Sequence, residues 1–418
     1  MNLSSSISSQ SLAINEREAP LICFSHLRWD FVLQRPQHLM ARFAKQRAVF
    51  FFEEYIPTDH HLAYFEIHPF EGTTVKSIRP RVPHWWNAAE RNLALSRLLD
   101  EFLAMSGARR PILWFYTPAM YEFARHIDAA AVIYDCMDEL ANFRFAPDRM
   151  KDMEAALMAR ADVVFTGGYS LYEAKCKQHS NIHPFPSGVD VDHFHQARQR
   201  VVEPADQQAI SGPKLGYYGV IDERLDLELI AALAAARPDY SFIFIGPIAK
   251  IAPEDLPRAQ NIHYLGQKHY GELPAYVSGW DAALMPFALN GSTQFISPTK
   301  TPEYLAAGRP VISTAIKDVI RHYGEVEGVF IASDPQHFAQ ACDDALLLAR
   351  SSNAWWKPVD QMLEGSSWDK TFLAMEGLVD GVISSTGFAH MQAAKGTSRK
   401  TAASKPIILG EVVGVPGL

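Results

Sequence analysis

The chain has 418 residues, 48% of them hydrophobic and 21% charged, a composition that can bury one or two full cores and excludes disorder over most of its length. Its 39 Lys and Arg against 47 Asp and Glu give a net charge of -8, so the overall basic footprint of a nucleic-acid binder is absent. At about 100–200 residues per domain, the length predicts two or three domains.

In chain order, residues 1–19 are Ser-rich and read as a flexible N-terminus; without a basic stretch leading into an apolar run they do not read as a signal peptide. No run approaches the ~18 apolar residues of a membrane span. These features predict a cytoplasmic protein, with peripheral contact at the inner face of a membrane left open. Cys23, Cys136, Cys176 and Cys342 lie too far apart for a metal site and are too few for a disulfide framework. They read as free thiols in a reducing compartment.

Pro20–Ser25 reads as a first strand, followed by a loop and a helix opened by Pro36 and running to Gln46. Arg47–Glu53 is a second strand, and Trp86–Leu103 has helical spacing. Ile112–Tyr116, Ala131–Asp135 and Asp162–Thr166 continue as strands with helices between. Residues apolar on both faces are what a helix-covered parallel sheet requires. The polar stretch Val189–Pro213 breaks the pattern and reads as a linker. Alternation then resumes with strands at Lys214–Tyr218, Ser241–Ile245, Ile262–Leu265, Ala282–Met285, Pro310–Ser313 and Gly328–Ile331, and helices at Leu225–Ala236 and Pro335–Arg350. Ser367–Ser384 is amphipathic, and the tail 387–418 reads as disordered. The expected architecture is α/β: a Rossmann-like domain over 20–195, a second over 196–365, and a terminal helix over 366–386, with a cleft between the domains.

Ser25 to Asp30 contains no glycine, which argues against a dinucleotide-binding dehydrogenase, and no GKS or GKT stands anywhere for a P-loop. The informative segment is FISPTKTPEYLAAGRPVIST, residues 295–314. A Ser297-Pro298-Thr299 loop delivers Lys300 to the start of a helix, where free amides and the dipole favour an anion. Glu303, one turn on, can accept from vicinal hydroxyls such as those of a ribose. The same residues also fit a capped helix with an exposed Lys and a stabilising Glu.

This segment resembles the C-terminal-domain motif of GT-B glycosyltransferases, especially those grouped with or near family 4. Gly216–Gly219 with Asp222-Glu223-Arg224, Phe244–Pro247, Asn261–Gly266 and Pro186-Ser187-Gly188-Val189-Asp190 with Phe194 resemble further elements of that family. The resemblance covers residues 20–385 and implies a GT-B fold. It also implies a nucleotide-sugar donor, a UDP-sugar first, on the C-terminal domain and an acceptor on the other. The implied donor residues are Gly219, Arg224, Gly246, Ser297, Pro298, Thr299, Lys300 and Glu303. It further implies a retaining reaction with no required metal or other cofactor, Lys300 and Arg224 stabilising the leaving diphosphate. The chain departs from the pattern at Phe295, where family 4 enzymes carry a carboxylate eight residues before Glu303; Asn290, Ser292, Thr293 or Gln294 are the expected replacements in contacting the sugar.

On the N-terminal side, His26, Arg28 and Trp29 follow the first strand and could meet a diphosphate or the acceptor, while Arg35 could instead pair with a carboxylate to hold the loop. Asp135 and Asp138 stand at another strand end, where either could take a proton from an acceptor hydroxyl or merely cap a helix. With Lys300, His26, Asp135 and Asp138 form the candidate catalytic set. Trp85 and Trp86 fit an acceptor groove, a lipid contact or plain packing. The expected acceptor is a glycan, a lipid-linked molecule or a small molecule. Two alternatives share the expected donor site: a nucleotide-sugar 2-epimerase and a non-catalytic nucleotide-sugar-binding protein.

Overall fold

The computed structural model describes residues 19–199 and 201–400, with the backbone alone for 386–400. Nine strands form the first sheet: β1 (Leu21–Ser25), β2 (Val49–Glu53), β3 (Ile56–Thr58), β4 (Tyr64–Pro69), β5 (Lys76–Pro83), β6 (Ile112–Phe115), β7 (Ala131–Cys136), β8 (Val163–Thr166) and β9 (Ile182–Pro184). Their order is β3-β5-β2-β1-β6-β7-β8-β9, parallel throughout, with β4 added antiparallel on β5. The second sheet is wholly parallel: β10 (Lys214–Tyr218), β11 (Ser241–Ile245), β12 (Ile262–Gly266), β13 (Ala282–Met285), β14 (Val311–Thr314) and β15 (Val329–Ala332), ordered β12-β11-β10-β13-β14-β15.

Each central strand is buried on both faces because helices cover both sides; all five residues of β1, β2, β10 and β11 are inaccessible. Polar side chains fix the helix starts. Asn87 and Glu90 form a reciprocal capping box on Ala88–Ser106, and Asp226 and Asp334 cap Leu227–Ala236 and Pro335–Ala349. The segment from 54 to 83, which carries β3, β4 and β5, was not read as strands from the sequence. Its β5 alternates in burial where it faces β4, the pattern of a half-covered sheet edge.

The stretch read as a linker is folded onto the second sheet. Short helices Val191–His195 and Ala205–Gln208 place Phe194 and Gln207 in that domain's interior, where Gln207 accepts from the Trp280 indole N–H and donates to the Tyr276 carbonyl. The actual crossing is narrow: Val189 N–H donates to Ser366 C=O at 2.8 Å, so the two strands of chain that pass between domains run side by side.

The last helix, Trp368–Lys400, lies on the first sheet. Trp368, Phe372, Met375 and Val379 are buried with Leu39, Phe43 and Trp114. Helical backbone thus continues past 387, through part of the expected tail, while 401–418 and 1–18 lie outside the described residues. No described helix is long and apolar enough to cross a membrane.

Candidate functional site

The carboxyl ends of the central strands of both sheets face one cleft. One cavity is lined from the first domain by Gln34, His38, Asp138 and Gly167, and from the second by Arg224 and Ser297 to Lys300. A second lies between Trp29 to Leu33 and Ile245 to Pro247 with Gln267 to Tyr270. Val32, Leu33, Gly219, Lys300 and Glu303 are walls of both, so these residues sit at the junction.

Lys300 and Glu303 begin the helix Lys300–Ala306, which is carried by the loop after β13. Lys300 Nζ is 3.8 Å from Glu303 Oε2 and 5.3 Å from the centre of the Tyr218 ring. Tyr218 Oη donates to Glu303 Oε2 at 2.6 Å. Burial pushes the Glu303 carboxyl above the usual carboxylate range, against the pull of Lys300 and Tyr218. Gly219 (φ +146°) and Gly246 (φ +147°) meet back to back: a Cβ on Gly246 would lie 1.8 Å from the Gly219 carbonyl oxygen. Only glycine satisfies both the backbone angle and the spacing there. The structure thus brings together all eight residues expected on the donor side.

Arg224 grips both oxygens of the buried Asp222, donating from Nε to Oδ1 at 2.9 Å and from Nη2 to Oδ2 at 2.8 Å. Its guanidinium and Lys250 also lie over Phe143 of the first domain, at 5.8 and 4.6 Å. Asp138 lines the first of the two cavities, together with Arg224, and its carboxylate makes no hydrogen bond to another side chain among the described residues. Burial raises its proton affinity, while Arg224 lowers it.

The other expected N-terminal residues divide. Asp135 is fully buried, and both its oxygens accept from Arg35 Nε, at 3.1 and 3.0 Å. It therefore pins the loop and the first helix, with Arg35 Nη1 donating to the Phe185 carbonyl at 2.7 Å, and with no exposed surface it is out of reach of an acceptor hydroxyl. This corrects the catalytic expectation for Asp135. Arg28 pairs with Glu53, and the Trp29 indole packs on Phe51 and Phe70 while its backbone N–H donates to Glu53. Of these two only Trp29 reaches a cleft wall. His26 is half-buried, its Nδ1 has no hydrogen-bond partner among the described residues, and burial together with Lys250 lowers its pKa to about 4. It stays neutral near pH 7 and lines neither of the two cavities. Trp85 is 48% exposed, and Trp86 lines a separate cavity with Leu62 and Leu93.

Phe295 packs against the interior of the first domain, a contact that a carboxylate could not make without burying its charge. Asn290, Ser292 and Thr293 are spent inside their own loop: Asn290 Oδ1 accepts from the Ser292 N–H and hydroxyl, and Thr293 Oγ1 donates to the Ala288 carbonyl. Gln294 is exposed. None of the four lines either of the two cavities.

Sequence reasoning passed over Tyr218, His38 and Trp368. Tyr218 reads as strand core, yet its hydroxyl reaches Glu303. His38 stacks on the Trp368 indole at 4.5 Å, and burial, then Arg42, hold its pKa at about 3. Both line the first cavity, so the last helix contributes a wall of the cleft. Among the described residues no group of three or more His, Cys, Asp and Glu could hold a metal ion.

Residues 213–347, the second sheet with its helices, match the family model for group 1 glycosyl transferases. TuaH of Bacillus subtilis (strain 168), described as a teichuronic acid biosynthesis glycosyltransferase, is 27% identical over 270 residues, 60% of this chain and 68% of that protein. The sucrose-phosphate synthase of Thermosynechococcus elongatus superposes with a TM-score of 0.67 at 15% identity, over 88% of this chain and 100% of that one. HepE of Anabaena, solved with UDP and glucose, superposes with a TM-score of 0.64 at 10% identity, over 87% and 100%. The fold is GT-B, and the family match, the relative and the architecture together support a group 1 glycosyltransferase.

Proposed function

We propose that this protein transfers a sugar from a nucleoside-diphosphate sugar, a UDP-sugar first, to a hydroxyl of a glycan acceptor, with retention at the anomeric carbon and without a required metal. The observation that carries the reading is the placing of Lys300 and Glu303 one helical turn apart at the junction of the two cavities. Lys300 is positioned for the diphosphate and Glu303 for the ribose diol, with the nucleoside directed toward Gly246 and Tyr270 and the sugar toward Asp138. The part that TuaH is described as having in teichuronic acid biosynthesis supports a polysaccharide acceptor.

Charge develops on the departing diphosphate, and preorganised cations stabilise it most where water is excluded. Lys300 and Arg224 supply that stabilisation. Asp138 faces the same cavity from the other domain and is the group able to hold the acceptor hydroxyl proton.

The test is a calorimetric panel of UDP, GDP, ADP and dTDP followed by incubation of the best nucleotide's sugars with and without glycan acceptors. Saturable binding and acceptor-dependent transfer are expected. An epimer from donor alone would replace this reading with the epimerase, and no binding of any nucleotide would refute the donor site.

A further inference from the structure

Tyr218 ends β10 and is 4% exposed, yet it touches both donor-side residues at once. Its hydroxyl donates to Glu303 Oε2 at 2.6 Å, and its ring face lies 5.3 Å beneath Lys300 Nζ. Its own position is fixed twice over: the Tyr218 N–H donates to Tyr304 Oη at 3.0 Å, and the Tyr304 ring meets it edge-on at 5.0 Å. Lys300 and Glu303 would otherwise close on each other, since they stand only 3.8 Å apart at Oε2. The Tyr218 hydroxyl occupies that oxygen. Oε1 is left without a hydrogen-bond partner among the described residues, the one acceptor atom of Glu303 available at the cavity junction.

We infer that Tyr218 is a positioning residue that sets the sugar specificity of the donor nucleotide: by holding Oε2 it presents Oε1 to the ribose hydroxyls, so the site takes ribonucleoside diphosphates and rejects 2′-deoxyribonucleoside diphosphates. This rests on the donor reading above and names the residue that makes it selective. The physical reason is the asymmetry of buried hydrogen bonding. A site built around a buried acceptor loses more when the ligand lacks the matching hydroxyl than it gains from any one contact, because the acceptor is then left dry and unpaired. A carboxylate free to rotate onto Lys300 would have an alternative partner and would discriminate weakly.

The experiment compares UDP with 2′-deoxy-UDP by calorimetry on the full chain, wild type against Tyr218→Phe. Phe keeps the ring under Lys300 and the packing on Tyr304, and removes only the hydroxyl. Wild type is expected to prefer UDP by about tenfold or more, the size of one charge-assisted hydrogen bond. Tyr218→Phe is expected to lose about tenfold in UDP affinity while 2′-deoxy-UDP binding barely moves, so the ratio falls toward one. Glu303→Asp, which withdraws the carboxylate from the Tyr218 hydroxyl, should collapse the ratio equally, and the double variant should add nothing further. Equal losses for both nucleotides in Tyr218→Phe, or an unchanged ratio, would overturn the inference and leave the donor site standing. If the Phe variant does not fold, the wild-type ratio decides: 2′-deoxy-UDP binding as tightly as UDP overturns it. Failure of wild type to bind UDP, GDP or ADP at all would overturn the donor reading and this inference with it.

Discussion

Lys300→Ala removes one positive charge from the junction of the two cavities and little else. The side chain is 21% exposed and its nearest charge is Glu303 at 3.8 Å. A unit charge about 4 Å from the developing charge on a diphosphate is worth about 4 kcal/mol at an effective dielectric near 20. Residual exposure admits water and salt, so about 3 kcal/mol is the better figure, a loss of about 10²-fold in turnover. A loss of this size matches what removal of one preorganised charge stabiliser costs elsewhere. The substitution also leaves Glu303 buried without its cation, which pushes its carboxyl still higher and moves the acid limb of nucleotide binding upward in pH. The two effects separate with pH. Raising the pH through that limb should restore part of the nucleotide affinity, because it ionises Glu303, but none of the turnover, because the missing charge is not replaced. Initial rates at saturating and limiting donor, with calorimetric nucleotide binding across pH and a melting curve to confirm the fold, measure all three quantities. A folded Lys300→Ala protein turning over within about threefold of wild type would refute the assignment of this charge to the diphosphate.

Three further outcomes follow from the geometry. In wild type, nucleotide affinity should fall as pH drops through the raised Glu303 value, earlier than for an ordinary carboxylate near ~4.3, because only the ionised form accepts the ribose hydroxyls; Glu303→Gln should flatten that limb of a calorimetric titration. Asp138→Asn should lower transfer by about 10²-fold with an unchanged melting point, whereas Asp135→Asn should cost about 3–5 kcal/mol of stability in denaturant titration, because it leaves the buried Arg35 unpaired. Gly168→Ala should hold the domains apart, since its Cβ would fall 2.1 Å from Asp318 Oδ2 and 2.6 Å from Ser297 Cβ. Small-angle scattering should then show expansion, with transfer reduced by about tenfold or more while nucleotide binding persists.

What could be read in advance was whatever depends on local chemistry. Strands such as Lys214–Tyr218 and Ser241–Ile245 announce themselves by unbroken apolar runs, and their bounds coincide with β10 and β11. Lys300 and Glu303 were legible because a helix start and a one-turn spacing are properties of neighbours in sequence. Distant partners were not legible. Asp135 and Asp138 are three residues apart at one strand end, and nothing local says that Arg35, 100 positions earlier, consumes the first and leaves the second free. Tyr218 looks like any aromatic residue in a buried strand until Glu303 is folded over it. The polar composition of 190–213 suggested a linker, but Glu203 and Gln207 satisfy their polar groups inside the second domain, so polarity there marks hydrogen-bonded packing. Trp368 shows the same limit at longer range, since a residue near the end of the chain becomes a wall of the site through its stack on His38.

The charges in the cleft are not equivalent, and their existing partners rank them. Arg224 is already neutralised at close range by both oxygens of Asp222, and its remaining face is occupied by Phe143. A diphosphate approaching Arg224 must therefore share it with a carboxylate 3% exposed, which cannot move away into water. Lys300 has a looser partner, and Glu303 is itself drawn off by the Tyr218 hydroxyl, so more of its field is available to an anion. The facing domain adds no competing cation at His26 or His38, whose imidazoles burial keeps neutral. On the proposed reading Lys300 would then be the main stabiliser of the leaving group and Arg224 chiefly the anchor of its own loop. Arg224→Ala should accordingly differ in kind from Lys300→Ala. Removing Arg224 strands Asp222 as a buried unpaired charge, at about 3–5 kcal/mol of stability, so its effect should appear first in the melting point. Replacing the pair together, Asp222→Asn with Arg224→Gln, should recover most of the stability and, if the ranking is right, leave a smaller deficit in turnover than Lys300→Ala alone. A double variant as stable as wild type but slower than Lys300→Ala would reverse the ranking and move the leaving diphosphate to the Arg224 side of the cleft.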